Sequence, residues 1–484
     1  MARFLLLLSA LIDFILEGGI MASILCFRKR TAALLALVAA ALAAPGIAAA
    51  AVAGPALEQA VDAYLQPLLR TNNFAGIVLV ARGDEILFQK GYGLANVEHQ
   101  VPHRPSTRFH IASVSKPFTA AAIMLLVERG RIDLHAPLSR LLPGFPNGER
   151  LTVHHLLSHT SGIPNINGFP EYDAIQYREH SLEQLVAYFR DRPLGFAPGE
   201  RHEYSNSNYN LLAYIIERVS GLSYGAFLRR EILEPLRLAG TGHPARAAEI
   251  VPGLADGYAP EGATGLERAR YLDWSVKTGN GSLYATAGDL LAFFRAVHGG
   301  RLLNPQSLAA SFTPHTPNVG YGWFVTRANG RPIHHINGRS PGWAAQADHY
   351  FDDGVTVIVL SNIYAGVTTP IARAVGAIHF GLPHEPLPSL AAEPPAPAAA
   401  AALVGTYRLG ADYYVPNQLL TVAAGADGHL SATPDAGSPT GLIPIGPNRF
   451  LMRAFWMEME FVPGADGRAA EIRIEQFRGP RVDP

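Results

Sequence analysis

Ser113-Val114-Ser115-Lys116 places a hydroxyl and an amine three residues apart at the start of a long apolar run. Residues i and i+3 of a helix share one face, so the lysine amine can reach the serine hydroxyl. A serine is a poor nucleophile until a base takes its proton, and a lysine can be that base only where burial or nearby cations lower its pKa. The spacing therefore predicts a helix over residues 113–129 that carries a nucleophile, Ser113, and its base, Lys116.

The identity of residue 116 is informative because lysine is rare in this chain. The sequence contains only Lys29, Lys90, Lys116 and Lys277 among 39 lysine and arginine residues. Arginine keeps its proton near neutral pH and could not replace Lys116 as a base. Taken alone, Ser113 could still be only a helix cap, which is a common role for serine. A catalytic interpretation therefore depends on further motifs.

The composition limits the partners and cofactors that we expect. The chain has 484 residues, 48% of them hydrophobic, and a net charge of −1, which allows a large core and two domains. A near-neutral chain lacks the basic face that holds phosphates, so we expect no nucleic-acid partner. A single cysteine, Cys26, and the lack of an HExxH motif indicate neither a disulfide nor a zinc site. We expect no metal and no cofactor, and a small-molecule or peptide substrate.

Residues 1–53 have the pattern of a signal or targeting region. Arg28-Lys29-Arg30 forms a positive segment, an apolar stretch follows over residues 32–44, and small residues before residue 54 offer cleavage sites. This pattern predicts export to the periplasm or the medium. The alternative is an N-terminal membrane anchor, and an uncleaved N-terminus is the only route by which we expect membrane association.

The order of predicted elements indicates an α+β fold. A hairpin is predicted over residues 76–89 and a buried strand over residues 355–360, with several helices between them. We therefore expect an antiparallel sheet built from both ends of residues 54–383, flanked by helices and carrying a helical subdomain. Residues 384–402 are rich in proline and alanine and are interpreted as a linker. Asp-Gly turns and short alternating runs predict a small β-barrel-like domain over residues 403–484, with strands at residues 419–422, 450–452, 457–461 and 472–477.

A second motif, Tyr204-Ser205-Asn206, supplies groups that could serve the same serine. A phenol that is hydrogen-bonded to a cation can exist as a phenolate near neutral pH and accept a proton. Asn206 could hold a substrate amide or steady the lysine. This motif is weak alone and gains value from its pairing with the first one.

Together these motifs resemble those of the serine β-lactamase-related hydrolases. The resemblance includes the stretches LLSHTSGIP at residues 156–164 and GSLYATAGD at residues 281–289, and it spans about residues 56–383. It is closest to the class C-like branch, with its esterases, D-aminopeptidases and DD-peptidases. It implies that Ser113 is acylated, that Lys116 and Tyr204 move its proton, and that the serine N–H and a strand-edge N–H form the oxyanion hole. The C-terminal segment resembles the small β-domains often appended in this family.

The family's third motif, KTG or HxG on the last strand, is where the sequence departs from the pattern. Aligning residues 341–343 (PGW) with the usual PGF puts Ile336-Asn337-Gly338 in the HxG place. We predict that Gly338 binds substrate, and that His335 also does so if a one-residue bulge restores it to the site. Lys277-Thr278-Gly279 spells KTG but comes too early for that strand.

A further pattern, GRSPG at residues 338–342, matches the GxSxG nucleophile elbow. A true elbow follows a strand and opens a helix, whereas a strand and its turn are expected after this one. We therefore interpret it as a tight loop between strands.

Aromatic residues such as Tyr172 and Trp343 could line a cleft or pack in the core.

The sequence predicts an exported serine hydrolase that acts through an acyl-enzyme on a short acyl ester, a D-amino-acid peptide or a β-lactam-like substrate. Ser113, Lys116 and Tyr204 are the expected catalytic residues, and Asn206, His335 and Gly338 the expected substrate-binding residues. Two alternatives stay open. One is a catalytically impaired binding or sensor module of the same fold, and the other is a DD-peptidase or transpeptidase. The sequence does not indicate the oligomeric state.

Overall fold

The computed structural model describes residues 51–482, except for residues 245, 247, 391, 392, 414, 416 and 436–438. The predicted signal region over residues 1–53 therefore lies almost wholly outside the described residues. From Ala51 onward the chain forms one compact unit.

The strands up to residue 361 form a large antiparallel sheet and several two-stranded pieces. They are β1 (Gly76–Arg82), β2 (Glu85–Tyr92), β3 (Leu94–Asn96), β4 (Val101–Pro102), β5 (Phe109–His110), β6 (Tyr258–Glu261), β7 (Gly265–Arg268), β8 (Tyr284–Ala285), β9 (Phe324–Ala328), β10 (Arg331–Ser340), β11 (Trp343–Tyr350) and β12 (Val355–Ser361). Among the described residues the large sheet has the order β2-β1-β12-β11-β10-β9. Because β1 pairs along its whole length with β12, the predicted sheet built from both ends of the domain is confirmed.

Helices cover both faces of this sheet. They are α1 (Gly54–Arg70), α2 (Lys116–Glu128), α3 (Val153–Leu157), α4 (Tyr172–Ile175), α5 (Leu182–Ala187), α6 (Asn206–Ser220), α7 (Tyr224–Leu228), α8 (Ala287–His298), α9 (Pro305–Phe312), α10 (Thr368–His379) and α11 (Pro397–Leu403). Side chains alternate along a strand, so β1 contributes Ile77 to the core shared with α2 and Val78 to the core shared with α1 and α10. The predicted flanking helices and helical subdomain are confirmed.

The last part of the predicted linker forms a short helix. Pro397–Leu403 forms α11, where proline occupies the first helical turn and alanine, the best helix former, fills most of the rest. The interpretation of residues 384–402 as a linker stays a prediction. The predicted domain limits at residues 383 and 403 stay a prediction.

The C-terminal segment forms a second antiparallel sheet. Its strands are β13 (Gly405–Arg408), β14 (Leu419–Ala424), β15 (Leu430–Pro434), β16 (Thr440–Gly446), β17 (Arg449–Met452), β18 (Met457–Pro463), β19 (Ala469–Ile474) and β20 (Phe477–Pro480). Within the described residues they pair in chain order, and a bridge between Tyr407 and Arg481 brings the two ends together. The predicted barrel-like sheet is confirmed. The run over residues 472–477 was predicted as one strand, but a turn at Glu475, with φ of 53°, divides it.

One buried arginine ties this barrel-like sheet to the first part of the chain. Arg453 has 0% exposure, and its guanidinium donates to Asn73 Oδ1 at 2.9 Å and to the carbonyl oxygens of Glu261 and Gly262 at 2.8 Å each. Five donors in a rigid plane suit a site made of backbone oxygens.

Among the described helices none is by itself long and apolar enough to cross a bilayer. One bent pair, Asn206–Ser220 with Tyr224–Leu233, passes by length and composition only.

Candidate active site

Ser113 lies in a short 3-10 turn, Ala112–Ser115, immediately before α2. The preceding residue, Ala112, has φ of 47°, a left-handed conformation that costs a residue with a side chain on the order of 1–3 kcal/mol. Hydrogen bonds hold the turn, because Ile111 N–H donates to the Leu283 carbonyl oxygen at 3.0 Å and Val114 N–H donates to that of Ile111 at 3.1 Å. The turn thus presents the serine ahead of the helix that carries the lysine.

The Lys116 amine is buried, with 1% of the residue exposed, and has three close partners. Nζ lies 2.9 Å from Asn206 Oδ1, 2.8 Å from the Asn280 carbonyl oxygen and 3.0 Å from Ser113 Oγ. Amide and carbonyl oxygens only accept, so they occupy two protons of the amine. A neutral amine then has its lone pair free to accept the proton of the Ser113 hydroxyl.

The surroundings of Lys116 favour this neutral form. Burial is the main cause that lowers its pKa well below the ordinary 10.5, and the positive charge of Lys277 lowers it further. Both causes disfavour the ammonium form and cost the neutral amine nothing. The fold therefore provides the burial and the nearby cation that lower the pKa of a lysine base.

Tyr204, at the start of the turn into α6, forms the third contact of the serine. Its Oη lies 2.9 Å from Ser113 Oγ, and its ring packs against His159 with centroids 4.6 Å apart. Burial raises the pKa of Tyr204 to about 12, although its hydrogen bond to Ser113 acts in the opposite direction. The phenolate suggested by the sequence is therefore not the form that this site favours. A protonated Tyr204 can donate to Ser113 Oγ while Lys116 accepts the serine proton.

Asn206 steadies the lysine. Its Oδ1 accepts from Lys116, while its Nδ2 donates to Asn167 Oδ1 at 2.9 Å and its backbone N–H to Asn165 Oδ1 at 3.1 Å. The carboxamide is thus engaged at both ends by the protein. Of the two roles that the sequence left open for Asn206, the contacts favour the support of Lys116 over substrate binding.

Gly338 on β10 lies directly against the turn that carries Ser113. A Cβ built on it would come within 2.5 Å of the Ile111 carbonyl oxygen and 2.7 Å of Ser113 N, which is closer than real side-chain atoms approach. Beyond His335, β10 also has no pairing with β9, so residues 336–340 leave one edge free beside the serine. The absence of a side chain at Gly338 therefore opens the space in front of the Ser113 N–H.

The chain as a whole has clear relatives. Its sequence matches the Beta-lactamase family over residues 61–378. The chain belongs to this family. It is 30% identical over 450 residues to Penicillin-binding protein 4* of Bacillus subtilis, with 85% of this chain and 96% of that protein covered. It is also 30% identical over 368 residues to Esterase EstB of Burkholderia gladioli, with 65% of this chain and 93% of that protein covered.

A solved structure shows the same similarity. The penicillin-binding protein of Bacillus halodurans superposes with a TM-score of 0.58 at 27% identity, and the match covers 66% of this chain and 98% of that one. Members of the Beta-lactamase family are serine hydrolases, and this chain is an enzyme of that type.

The structure does not bring His335 to the site. β10 and β11, both described in full, pair without a register shift from His334 to Ser340, so the bulge that would have redirected His335 is not formed. His335 instead stacks on Phe324 with ring centroids 5.3 Å apart. It shares the sheet face of Ile333, which packs towards α1 and α10, whereas Ile336 and Gly338 face the side of Ser113. The prediction that His335 binds substrate is corrected, and the buried Ile336 occupies the family's histidine place.

The two other motifs lie where the sequence argument put them. In the GxSxG stretch, Ser340 ends β10 and pairs with Trp343 across a two-residue turn, so a strand and not a helix follows. Lys277 ends the 3-10 turn Trp274–Lys277 and lies on none of the strands of the large sheet. Its charge nevertheless reaches Lys116, which the sequence did not indicate.

Three residues around the site were not identified from the sequence. Asn167 and Asn280 hold Asn206 and Lys116, and His159 Nδ1 accepts from Ser205 N–H at 3.2 Å beside Tyr204. Asn280 directly precedes the family motif at residues 281–289, and His159 lies within the motif at residues 156–164. These motifs could therefore have indicated both residues. Asn167 carries no such signal. Among the described residues, no histidine, cysteine, aspartate or glutamate side chains group so that they could hold a metal ion.

Proposed function

We propose that this chain is an exported serine hydrolase that cleaves an ester or amide through an acyl-enzyme on Ser113. The observation that carries the proposal is the orientation of the Lys116 amine. Two oxygens that can only accept fix its protons, and its third contact is the Ser113 hydroxyl at 3.0 Å. A base placed within hydrogen-bond distance of its nucleophile, with a lowered pKa, is the arrangement that general-base catalysis needs.

The proposed reaction has two stages. Ser113 Oγ attacks the carbonyl carbon while its proton passes to Lys116 Nζ, and the oxyanion forms in the space between the Ser113 N–H and β10 at Gly338. Collapse breaks the bond to the leaving oxygen or nitrogen, which takes the proton back through Lys116 and Tyr204. Water then attacks the acyl carbon and gives a proton to the same pair. The bond between the acyl carbon and Ser113 Oγ breaks, Oγ takes that proton back, and the acid is released.

The β10 side of the site limits the range of substrates that the site could accept. Ile336 offers neither a charge nor a hydrogen bond where the family's third motif has a lysine or histidine. A short acyl ester or a D-amino-acid amide therefore fits better than a β-lactam. The similarity to Esterase EstB supports the ester, and the similarity to Penicillin-binding protein 4* over 85% of this chain supports a DD-peptidase as the second candidate. The lack of a lysine or histidine in the third motif is the observation that would favour a catalytically impaired sensor module.

Export is part of the proposal and rests on the sequence. Arg28-Lys29-Arg30 precedes an apolar stretch and small residues, and the single cysteine, Cys26, lies before this basic triplet. Removal of the segment would leave a chain without cysteine, which suits an oxidising compartment. N-terminal sequencing of the protein recovered from the periplasm or the medium tests this part, and recovery of an intact N-terminus in the membrane fraction contradicts it.

The catalytic part is tested by intact mass after incubation with a fluorophosphonate and, separately, with a penicillin. We expect one fluorophosphonate adduct on the wild type and none on Ser113→Ala. Ser340→Ala is the matched control, because Ser340 is the serine of the rejected GxSxG motif, and it should label as the wild type does. A panel of p-nitrophenyl esters and D-aminoacyl anilides then assigns the substrate class. No adduct on the wild type, or an equal adduct on Ser113→Ala, would refute the hydrolase.

A further inference from the structure

Lys277 is a second lysine near the proposed catalytic lysine, Lys116. Its carbonyl oxygen accepts from the backbone N–H groups of Asn280 at 3.0 Å and Gly281 at 2.8 Å. The Asn280 carbonyl oxygen in turn accepts from Lys116 Nζ at 2.8 Å. One tight turn therefore carries Lys277 and the oxygen that holds Lys116, so the two amines belong to the same part of the molecule.

The Lys277 side chain is largely buried, and its ammonium has no anionic partner among the described residues. The residue is 8% exposed, yet no ion pair or hydrogen bond from the described residues reaches its ammonium. Lys90 differs, because Glu58 and Asp62 lie 2.7 Å from its Nζ even though it is far more exposed. The ammonium of Lys277 can therefore gain free energy from an anionic ligand. Its close neighbour is the ring of Tyr172, whose centroid lies 5.3 Å from Nζ.

Tyr172 adds a second unused group at the same place. Its hydroxyl is buried and has no hydrogen-bond partner among the described residues. Tyr172 begins α4, four residues after the turn Ile166–Gly168, whose Asn167 holds Asn206. The lysine and the tyrosine thus lie next to the residues that surround Lys116 and Ser113. Together they offer one positive charge and one hydrogen-bond donor that the protein leaves unsatisfied.

We propose that Lys277 and Tyr172 form a subsite for a carboxylate on the substrate. This inference rests on the proposed function and specifies its substrate class: an ester or amide that carries a negative charge near the scissile bond. A carboxylate would pair with the ammonium and accept from the Tyr172 hydroxyl, which satisfies both groups at once. Tyr172 lies on α4 and Lys277 on a 3-10 turn, whereas the family's third motif lies on β10.

The test compares esters that differ only by a carboxylate. One pair is mono-p-nitrophenyl glutarate and p-nitrophenyl pentanoate, which have the same acyl chain length. The other is the pentanoate of 3-carboxy-4-nitrophenol and that of 4-nitrophenol. The quantity measured is the ratio of kcat/KM for the charged ester to that for the neutral one. Acyl-adduct formation by mass replaces kcat/KM if turnover is slow. The ratio matters because loss of the Lys277 charge also acts on Lys116, and that effect is common to both esters.

In at least one pair we expect Lys277→Met to lower this ratio by about tenfold or more, because a charge-assisted hydrogen bond is lost. Tyr172→Phe should lower it less, and Lys277→Arg should keep most of it. Lys90→Met is the control and should leave it unchanged. Turnover of the neutral esters with an unchanged ratio in Lys277→Met would overturn the subsite alone. No turnover of any ester and no adduct on Ser113 would overturn the proposed function together with the subsite.

Discussion

The two walls of the candidate site are built on different physical principles. The helical wall consists of Ser113, Lys116, Tyr204 and Asn206, and each of these side chains is fixed by hydrogen bonds of 2.9–3.0 Å to another member. The strand wall consists of Ile336 and Gly338 of β10, which bring an apolar side chain and bare backbone to the serine. In the proposed mechanism, proton transfer therefore belongs to the first wall, and the second wall contributes shape and backbone.

This difference explains why one wall could be changed without the other. Moving a proton requires particular side chains within hydrogen-bond distance, so few residue types can serve at those positions. A wall that works through backbone N–H groups and space requires only that no side chain intrudes. The histidine place of the third motif can then hold Ile336 while Gly338 stays necessary. Substrate recognition can move elsewhere, as the position of Lys277 suggests.

The largest effect is expected from removing the lysine base. Lys116→Arg introduces a group that stays protonated and cannot act as a base, so we expect kcat to fall by about a thousandfold, within the range of general-base contributions. In the wild type, the base is active when neutral, so the rate should fall as the pH falls through the pKa of Lys116, which burial and Lys277 hold below 10.5. A pH–rate profile on a neutral ester measures both.

Controls for this prediction separate chemistry from folding. Lys116→Met retains a similar volume without a charge and should lose activity equally while keeping its melting temperature within a few degrees of the wild type. Lys90→Arg, at an exposed ion pair, should leave kcat unchanged. An active Lys116→Arg enzyme with an unshifted pH profile would show that the helical wall does not work through a neutral amine.

A smaller effect is expected from filling the strand wall. Gly338→Ala places a methyl group within 2.7 Å of Ser113 N, so we expect kcat to fall by about a hundredfold through the damaged oxyanion space. Gly288→Ala is the matched control, because a Cβ there meets only Thr286 Oγ1 at 3.9 Å. Steady-state kinetics and thermal melts of both variants provide the comparison. Activity within threefold of the wild type in folded Gly338→Ala would separate this glycine from catalysis.

The helical wall and the strand wall also differ in how well the sequence could predict them. Ser113 and Lys116 are one helical turn apart, so local spacing alone indicates their contact. The pairing with Tyr204, 91 residues further on, came from the family resemblance and not from periodicity. The strand wall depends on register, since a shift of one residue exchanges the faces of β10. His335 was placed on the wrong face because nothing local in the sequence distinguishes a bulge from a regular strand.

The protonation of Tyr204 and the role of Lys277 could not be predicted for a different reason. Both depend on burial and on the charge around each group, which only the assembled fold determines. Burial raises the pKa of Tyr204 to about 12, so the phenolate suggested by its motif is disfavoured. In the C-terminal sheet, by contrast, the Asp-Gly turns and alternating runs were enough to predict an antiparallel sheet. They did not reveal β13, β15 or β16, whose short runs lack a strong pattern.

The smallest effect on catalysis is expected at His335, and it decides the register of the strand wall. His335→Gln should leave kcat/KM within about twofold of the wild type, because the side chain lies on the face of β10 that points away from Ser113. It should instead change the pH dependence of stability. Burial, followed by the charge of Arg373, lowers the pKa of His335 from 6.5 to about 3, so its neutral form supports folding above pH 6.5 and that support is lost as the pH falls towards 3. Urea unfolding of both proteins between pH 7 and 4 should show the wild type losing more free energy of unfolding than the variant. A tenfold loss of kcat/KM with no such difference would mean that β10 is shifted by one residue and that His335, not Ile336, faces the serine.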